Sequence, residues 1–190
     1  IIFSQHEISF TMSVFQSVSA RTAGFTVMPM EHLSSASIWI IILLMFIGAS
    51  PGSTGGGIKT TTFGLLVVAL TSTMKSKNKI QIYDREISHQ QIFKALAILV
   101  ASFTIVFFSF FVLLISEKIQ FLPLLFESVS AFATVGFSMG VSSEMTDVGK
   151  YIIMGLMFFG RVGPLTLAFA LTRKQSVANY TLPKENILLG

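Results

Sequence analysis

Cysteine is absent from this sequence, which excludes disulfides and thiolate metal sites. Charge is scarce as well. Only 12% of the 190 residues are charged, about half the roughly 25% of an ordinary soluble domain. So few charges cannot cover a water-facing surface of this size. The three histidines, His6, His32 and His89, are scattered and lack metal-ligand spacing. A membrane enzyme needs a nucleophile–base pair or metal ligands near the bilayer surface, and neither pattern occurs, so the chain is not read as an enzyme. An initiator methionine is also missing. The chain opens Ile1-Ile2-Phe3-Ser4, with no basic segment ahead of a short apolar core, so no signal peptide is read. The numbered chain is expected to start inside a longer protein.

What is abundant is apolar: 52% of residues are hydrophobic and the mean hydropathy is +0.75. A bilayer core about 30 Å thick takes about 20 apolar residues as helix. Three regions qualify, roughly Ser37–Thr73, Ile92–Ile115 and Val148–Leu171. The first is interrupted by Gly48–Gly57 and reads as two short apolar pieces joined by a glycine-rich break. The third is broken by Gly160, Arg161, Gly163 and Pro164. The net charge of +4 does not point to nucleic acid, because the basic residues lie in two short segments flanking apolar runs. One holds Lys75, Lys77, Lys79, Arg85 and Lys94, and the other Arg173, Lys174 and Lys184. By the positive-inside rule both face the cytoplasm. The reading is an all-α integral membrane protein in contact with lipid. Segments 1–35 and 116–150 then lie outside, and each carries an apolar stretch too short to span, roughly Phe10–Ala20 and Phe121–Ala133. Such stretches suit re-entrant helices.

These two stretches repeat one another. Phe15 to Ala20 reads FQSVSA and Phe126 to Ala131 reads FESVSA. Beyond them, Thr22-Ala23-Gly24-Phe25 matches Thr134-Val135-Gly136-Phe137, with one extra residue between the blocks in the second copy. A repeat of about 110 residues is too long for a solenoid, whereas repeated membrane units are common in transport proteins. Rings of backbone carbonyls from short extended loops can replace the hydration shell of a potassium ion. Such loops need a residue tolerant of unusual backbone angles, and Gly24 and Gly136 are placed for that role. Two hairpins in which glycine only makes a turn are the alternative. Gln16 and Glu127 occupy matching positions on the short helices, where scaffold hydrogen bonding and attraction of cations are both open.

The glycine-rich break reads Gly48-Ala49-Ser50-Pro51-Gly52-Ser53-Thr54-Gly55-Gly56-Gly57. It cannot sustain a regular helix, and its backbone groups cannot face lipid. It must line an aqueous path or pack inside protein, as a mobile loop or as a kink. Gly52 to Thr60, GSTGGGIKT, approaches the phosphate-binding loop pattern, but Ile58 intrudes before Lys59 and no strand precedes it. Lys59 is instead expected to reach the aqueous path or to snorkel toward the inner interface. Arg161 lies 11 residues after Lys150 and 12 before Arg173, roughly 16–18 Å from each along a helix. That is near mid-membrane, where an arginine costs at least about 2.5–3.5 kcal/mol on insertion scales. It therefore faces a cavity or a partner, or ties helices together.

Together the paired T-x-G-F loops, the glycine-rich break and Gly160-Arg161-Val162-Gly163 resemble the Trk/Ktr/HKT superfamily of potassium transporters, and most closely the Ktr membrane subunits. The resemblance covers essentially the whole chain. It implies four membrane helix–pore loop–membrane helix repeats around one pseudo-fourfold pore, of which this chain holds the end of the third and all of the fourth. Residues 1–73 would end the third repeat, 74–91 would form a cytoplasmic linker, 92–172 the fourth repeat and 173–190 a cytoplasmic tail. Thr22, Ala23, Gly24 and Phe25, with Thr134, Val135, Gly136 and Phe137, would be filter residues binding K+ through backbone carbonyls. Residues Gly48 to Gly57 would form an intramembrane gate loop, with Arg161 against it as an electrostatic barrier that can hydrogen-bond loop carbonyls. The implied function is potassium uptake across a bacterial cell membrane, with no cofactor on this chain and Na+ as a candidate activator. The implied partners are a second copy in a homodimer, a segment like Lys184–Gly190 serving its interface, and a cytosolic nucleotide-binding regulatory ring. A tetrameric potassium channel subunit and a noncatalytic membrane scaffold are the competing readings. Phe137-Ser138 and a second nonidentical loop in one chain argue against the first; the duplicated loops and Arg161 argue against the second.

Overall fold

The computed structural model describes residues 10–75, 80–82 and 85–163. His6, Lys77, Lys79, Asp84, Pro164, the rest of the third apolar region and the tail 173–190 lie outside the described residues. The elements in chain order are α1 (Phe10–Ser19), α2 (Ser35–Phe46), α3 (Thr60–Met74), β1 (Gln81–Ile82), β2 (Arg85–Glu86), α4 (His89–Ser116), α5 (Phe121–Phe132) and α6 (Asp147–Val162). The fold is mostly helical. The strands were not expected from the sequence; they form a minimal antiparallel ladder pairing Gln81 with Glu86 and Ile82 with Arg85, inside the polar connection between α3 and α4.

Local chemistry sets the ends. Ser34 caps α2, its side chain accepting from Ser37 N at 3.3 Å, and Thr146 caps α6, accepting from Gly149 N at 3.2 Å. Pro123 sits in the first turn of α5, where its missing N–H has no intrahelical acceptor to lose. The third apolar region differs from expectation. Gly160 and Arg161 do not break α6, which stays helical through Val162 and ends at Gly163, at φ 85°. Gly160 serves close packing instead: a Cβ there would collide with the Phe132 carbonyl at the end of α5.

Helix α5 is the packing centre. It lies against α2, α4 and α6, with Phe126 and Phe132 fully buried beside Ile38, Ile41, Ile42 and Met45 of α2, Val106 of α4 and Leu156 of α6. Between apolar helices in lipid such contacts act through close van der Waals packing. Phe121, at the start of α5, meets Phe110 of α4 edge to face, with ring centroids 5.0 Å apart. The buried Glu117 joins α4 to α6, its carboxylate accepting from Thr146 N at 3.1 Å and Thr146 Oγ1 at 2.5 Å. Among the described residues, α4 is the one helix long and apolar enough to cross a membrane; α2, α3 and α5 are shorter apolar helices. The 28 residues of α4 extend about 42 Å. One face, with Ala95, Ser102, Val106, Phe110 and Leu113, is buried. The other exposes Phe93, Leu96, Val100, Phe103, Phe107 and Phe111.

Candidate functional site

The sequence repeat is also a repeat of geometry. After each short helix the chain turns through a threonine in the left-handed region, Thr22 at φ 66° and Thr134 at φ 52°, and then a glycine, Gly24 at φ 75° and Gly136 at φ 92°. A β-branched residue at positive φ is a genuine outlier, so the pair marks strain held at equivalent points. The same serine supports each turn. Ser19 Oγ donates to the Phe25 carbonyl at 2.6 Å, and Ser130 Oγ donates to the Phe137 carbonyl at 2.7 Å. The N–H groups of Ala23 and Gly24 reach the Ser19 carbonyl at 3.1 and 3.2 Å, and Val135 N reaches the Ser130 carbonyl at 3.0 Å.

Gln16 and Glu127 also act alike. Gln16 Oε1 accepts from Val27 N at 3.4 Å, and Glu127 Oε1 accepts from Met139 N at 3.2 Å and from Ser138 Oγ. Both side chains are buried. Each side chain is thus hydrogen-bonded to the loop that follows its helix, and Glu127 also lines a cavity with Thr134 to Ser138. The copies differ at phenylalanine: Phe137 is 1% exposed and Phe25 70%. Helices α2, α4 and α6 surround α5, and α1 has no comparable surround among the described residues.

The two loops meet backbone to backbone. A Cβ at Gly24 would collide with the Val135 carbonyl oxygen, whereas one at Gly136 would meet open space. The glycine-rich segment packs against both. Ile47 and Ile58 close its neck through a bridge, with Ile58 N donating to the Phe46 carbonyl at 3.1 Å and Thr60 N to the Ala49 carbonyl at 3.3 Å. Gly48 is needed at this neck, where a side chain would strike the Gly56 carbonyl. Gly56 N donates to Thr134 Oγ1 at 2.7 Å. A side chain at Gly55 would run into Thr22, and one at Gly57 would come within 3.4 Å of the Ala133 methyl. Backbone of the segment is thus in contact with both strained threonines.

Pro51, Gly52, Ser53 and Thr54 form the exposed tip, where Ser53 N donates to the Ser50 carbonyl at 3.2 Å. Below the tip lies a cavity of about 420 Å³, lined by Ser53, Thr54, Gly55, Lys59, Ile98 and Arg161 among others. Arg161 and the segment thus line one cavity. Arg161 donates no hydrogen bond among the described residues. Lys59 takes that part instead, its Nζ donating to the Gly55 carbonyl at 2.6 Å, the Ser53 carbonyl at 3.1 Å and Ser53 Oγ at 3.4 Å. Lys59 also has helices on both sides, not the strand-to-helix turn of a phosphate-binding loop. The C-terminal end of α5 points at the same junction, since the Phe132 carbonyl lies against both Gly56 and Gly160. A helix C-terminus carries about half a negative charge, which favours a cation nearby. Sequence reasoning missed Ser19, Ser130 and the lysine clamp. The serines were visible inside the repeated hexapeptide, and their invariance between copies was the available signal.

The family TrkH, described as cation transport protein, matches residues 3–180. The chain is 41% identical over 187 residues to Ktr system potassium uptake protein D of Bacillus subtilis, covering 98% of this chain and 41% of that protein. It is 40% identical over 177 residues to Ktr system potassium uptake protein B of Vibrio alginolyticus, covering 93% of this chain and 38% of that protein. The chain thus spans about two fifths of the length of these curated relatives. In fold it is similar to the crystal structure of the potassium transporter TrkH from Vibrio parahaemolyticus, with a TM-score of 0.73 at 23% identity over 86% of this chain and 37% of that one. The chain belongs to the TrkH family of cation transport proteins.

Proposed function

We propose that this chain is the filter-and-gate half of a protein that takes up potassium across the cell membrane. The observation that carries the reading is the junction itself. Two strained T-x-G-F loops touch at Gly24 and Val135, and the glycine-rich segment seats its backbone on Thr22 and Thr134 directly beneath. Carbonyls of Thr22, Ala23, Gly24 and Phe25 and of Thr134, Val135, Gly136 and Phe137 would replace part of the ion's hydration shell. Residues 1–73 and 92–172 would contribute two of four pseudo-symmetric units, joined by the linker 74–91 and followed by a tail at 173–190. Residues Gly48 to Gly57 would close the path below the filter, held by Lys59, with Arg161 adding a positive barrier. The apolar outer face of α4 supports a place in the membrane, and the shortness of α2, α3 and α5 suits helices that stop at an irregular interior. A homodimer, a cytosolic nucleotide-binding regulatory ring and activation by Na+ belong to the same reading, supported by likeness to Ktr system proteins.

The test is growth and rubidium uptake at low external potassium. The host lacks its own potassium uptake and expresses a full-length protein carrying this chain, with its cytosolic partner. Uptake above the empty host is expected. A membrane-inserted protein that moves neither potassium nor rubidium would sink the reading.

A further inference from the structure

We propose that the cavity beneath the glycine-rich segment binds a small inorganic anion, held chiefly by Arg161, and that its occupancy eases cation passage. Only the second half of this rests on the transport reading.

Two basic side chains, Lys59 and Arg161, line the cavity, and no acidic residue does so among the described residues. The two cations are in different states. Lys59 has three acceptors within 3.4 Å on Ser53 and Gly55, which match the three donors of an ammonium group. Arg161 has five donors and gives none of them to a described residue. The C-terminal end of α6 offsets part of its charge, and the N-terminal end of α3, where Thr62 joins the lining, adds positive potential. The C-terminal end of α5, beside Gly160 of the lining, takes off a further part, and with two whole positive charges the local balance among the described residues stays positive. Thr54 and Thr62 also line the cavity and carry hydroxyls that can donate to an anion, whereas the Ser53 hydroxyl is already given to the Ser50 carbonyl at 2.7 Å. A guanidinium fork donates to a halide or pairs two-pronged with an oxyanion such as phosphate. The space of about 420 Å³ exceeds the roughly 30 Å³ share of one water many times over, so the ion can keep part of its hydration. An anion there cancels one positive charge beside the path. A unit charge roughly 6 Å from an ion in water changes its passage about threefold.

The test uses the full-length protein, with chloride as the probe. Chloride-35 line broadening is measured on detergent-solubilised wild type, Arg161→Gln and Arg161→Lys, each checked for retained helicity. Rubidium flux into vesicles is then compared in chloride and gluconate salts at constant cation. Excess broadening is expected in wild type, lost in Arg161→Gln and partly kept in Arg161→Lys. Displacement by phosphate at lower concentration than by bromide would make the preferred occupant an oxyanion. Wild-type flux is expected to be about threefold higher in chloride, and the two salts equal in Arg161→Gln. Equal broadening in wild type and Arg161→Gln overturns the proposal, as does equal flux in the two salts from a protein that transports. A protein that broadens chloride and carries no rubidium refutes the transport reading and leaves the anion site standing.

Discussion

Threonine at positive φ persists only where its surroundings over-determine it, at a cost of about 1–3 kcal/mol. Thr134 N donates to the Ala131 carbonyl at 3.1 Å, the N–H groups of Ala23 and Gly24 beside Thr22 reach back to the Ser19 carbonyl, and Ser19 and Ser130 tie the loop carbonyls beyond. The glycines two residues on are held differently. Gly24 has both a positive φ and the Val135 carbonyl against it, whereas Gly136 has the φ and open space. Gly136→Ser is therefore expected to cost about 1–2 kcal/mol of backbone strain and to leave an assembled protein with altered potassium/sodium preference. Gly24→Ser must also push two loops apart, so its folded yield and thermal midpoint should fall further than those of Gly136→Ser. Matched midpoints for the two variants would show that the loops do not touch as described. Ser130→Ala strands the carbonyl of the buried Phe137 and is expected to cost about 1–3 kcal/mol in a denaturant melt. Ser19→Ala should cost less, because Phe25 is exposed. The glycines were legible in the sequence because their positions repeat. The strained threonines were not, since a positive φ at a β-branched residue is imposed by its surroundings in the fold, which the sequence does not mark.

At the scale of elements, the glycine-rich segment is an ordered loop with a closed neck and one clamp. The sequence located its break at Gly48–Gly57, and helix is absent from Ile47 to Lys59. That agreement follows from Pro51 and the run of glycines, whose helix penalty is intrinsic. The clamp was not legible: Lys59 lies outside the break, and its Nζ reaches back to Ser53 and Gly55 only because Ile47 and Ile58 bring the neck together. The same limit explains Gly160, read as a helix breaker and found as a packing site, because a helical glycine's neighbour is set by another element. Hydrogen bonds from a charged group contribute about 1.5–3 kcal/mol, and 1.4 kcal/mol is tenfold in an equilibrium. Lys59→Met is therefore expected to raise rubidium flux through the full-length protein about tenfold, with Lys59→Arg between the two. Unchanged or lower flux in Lys59→Met, at equal membrane yield, would count against a loop held shut by this lysine.

For the whole molecule, the sequence delivered the order of apolar pieces and the existence of two repeats, but not which helix stands at the centre. Composition ranks α4 above α5 in apolarity, yet α5 is the helix packed against α2, α4 and α6 together. What remains outside is the apolar stripe of α4, on the face opposite Ser102 and Val106. A stripe of this size on a water-soluble protein would drive association; facing lipid it stabilises the inserted state. A lysine at the centre of a spanning helix costs about 2.5–3.5 kcal/mol on insertion scales. Phe107 is 57% exposed, within five residues of the midpoint of α4, so Phe107→Lys in the full-length protein should sharply reduce the membrane-integrated fraction, and Phe107→Leu should leave it near wild type. The comparison is made on carbonate-washed membranes, with total expression as the reference. Snorkelling of the lysine stem toward the interface would soften the loss but not remove it. Equal integration of the two variants would mean that the outer face of α4 meets water or protein rather than lipid.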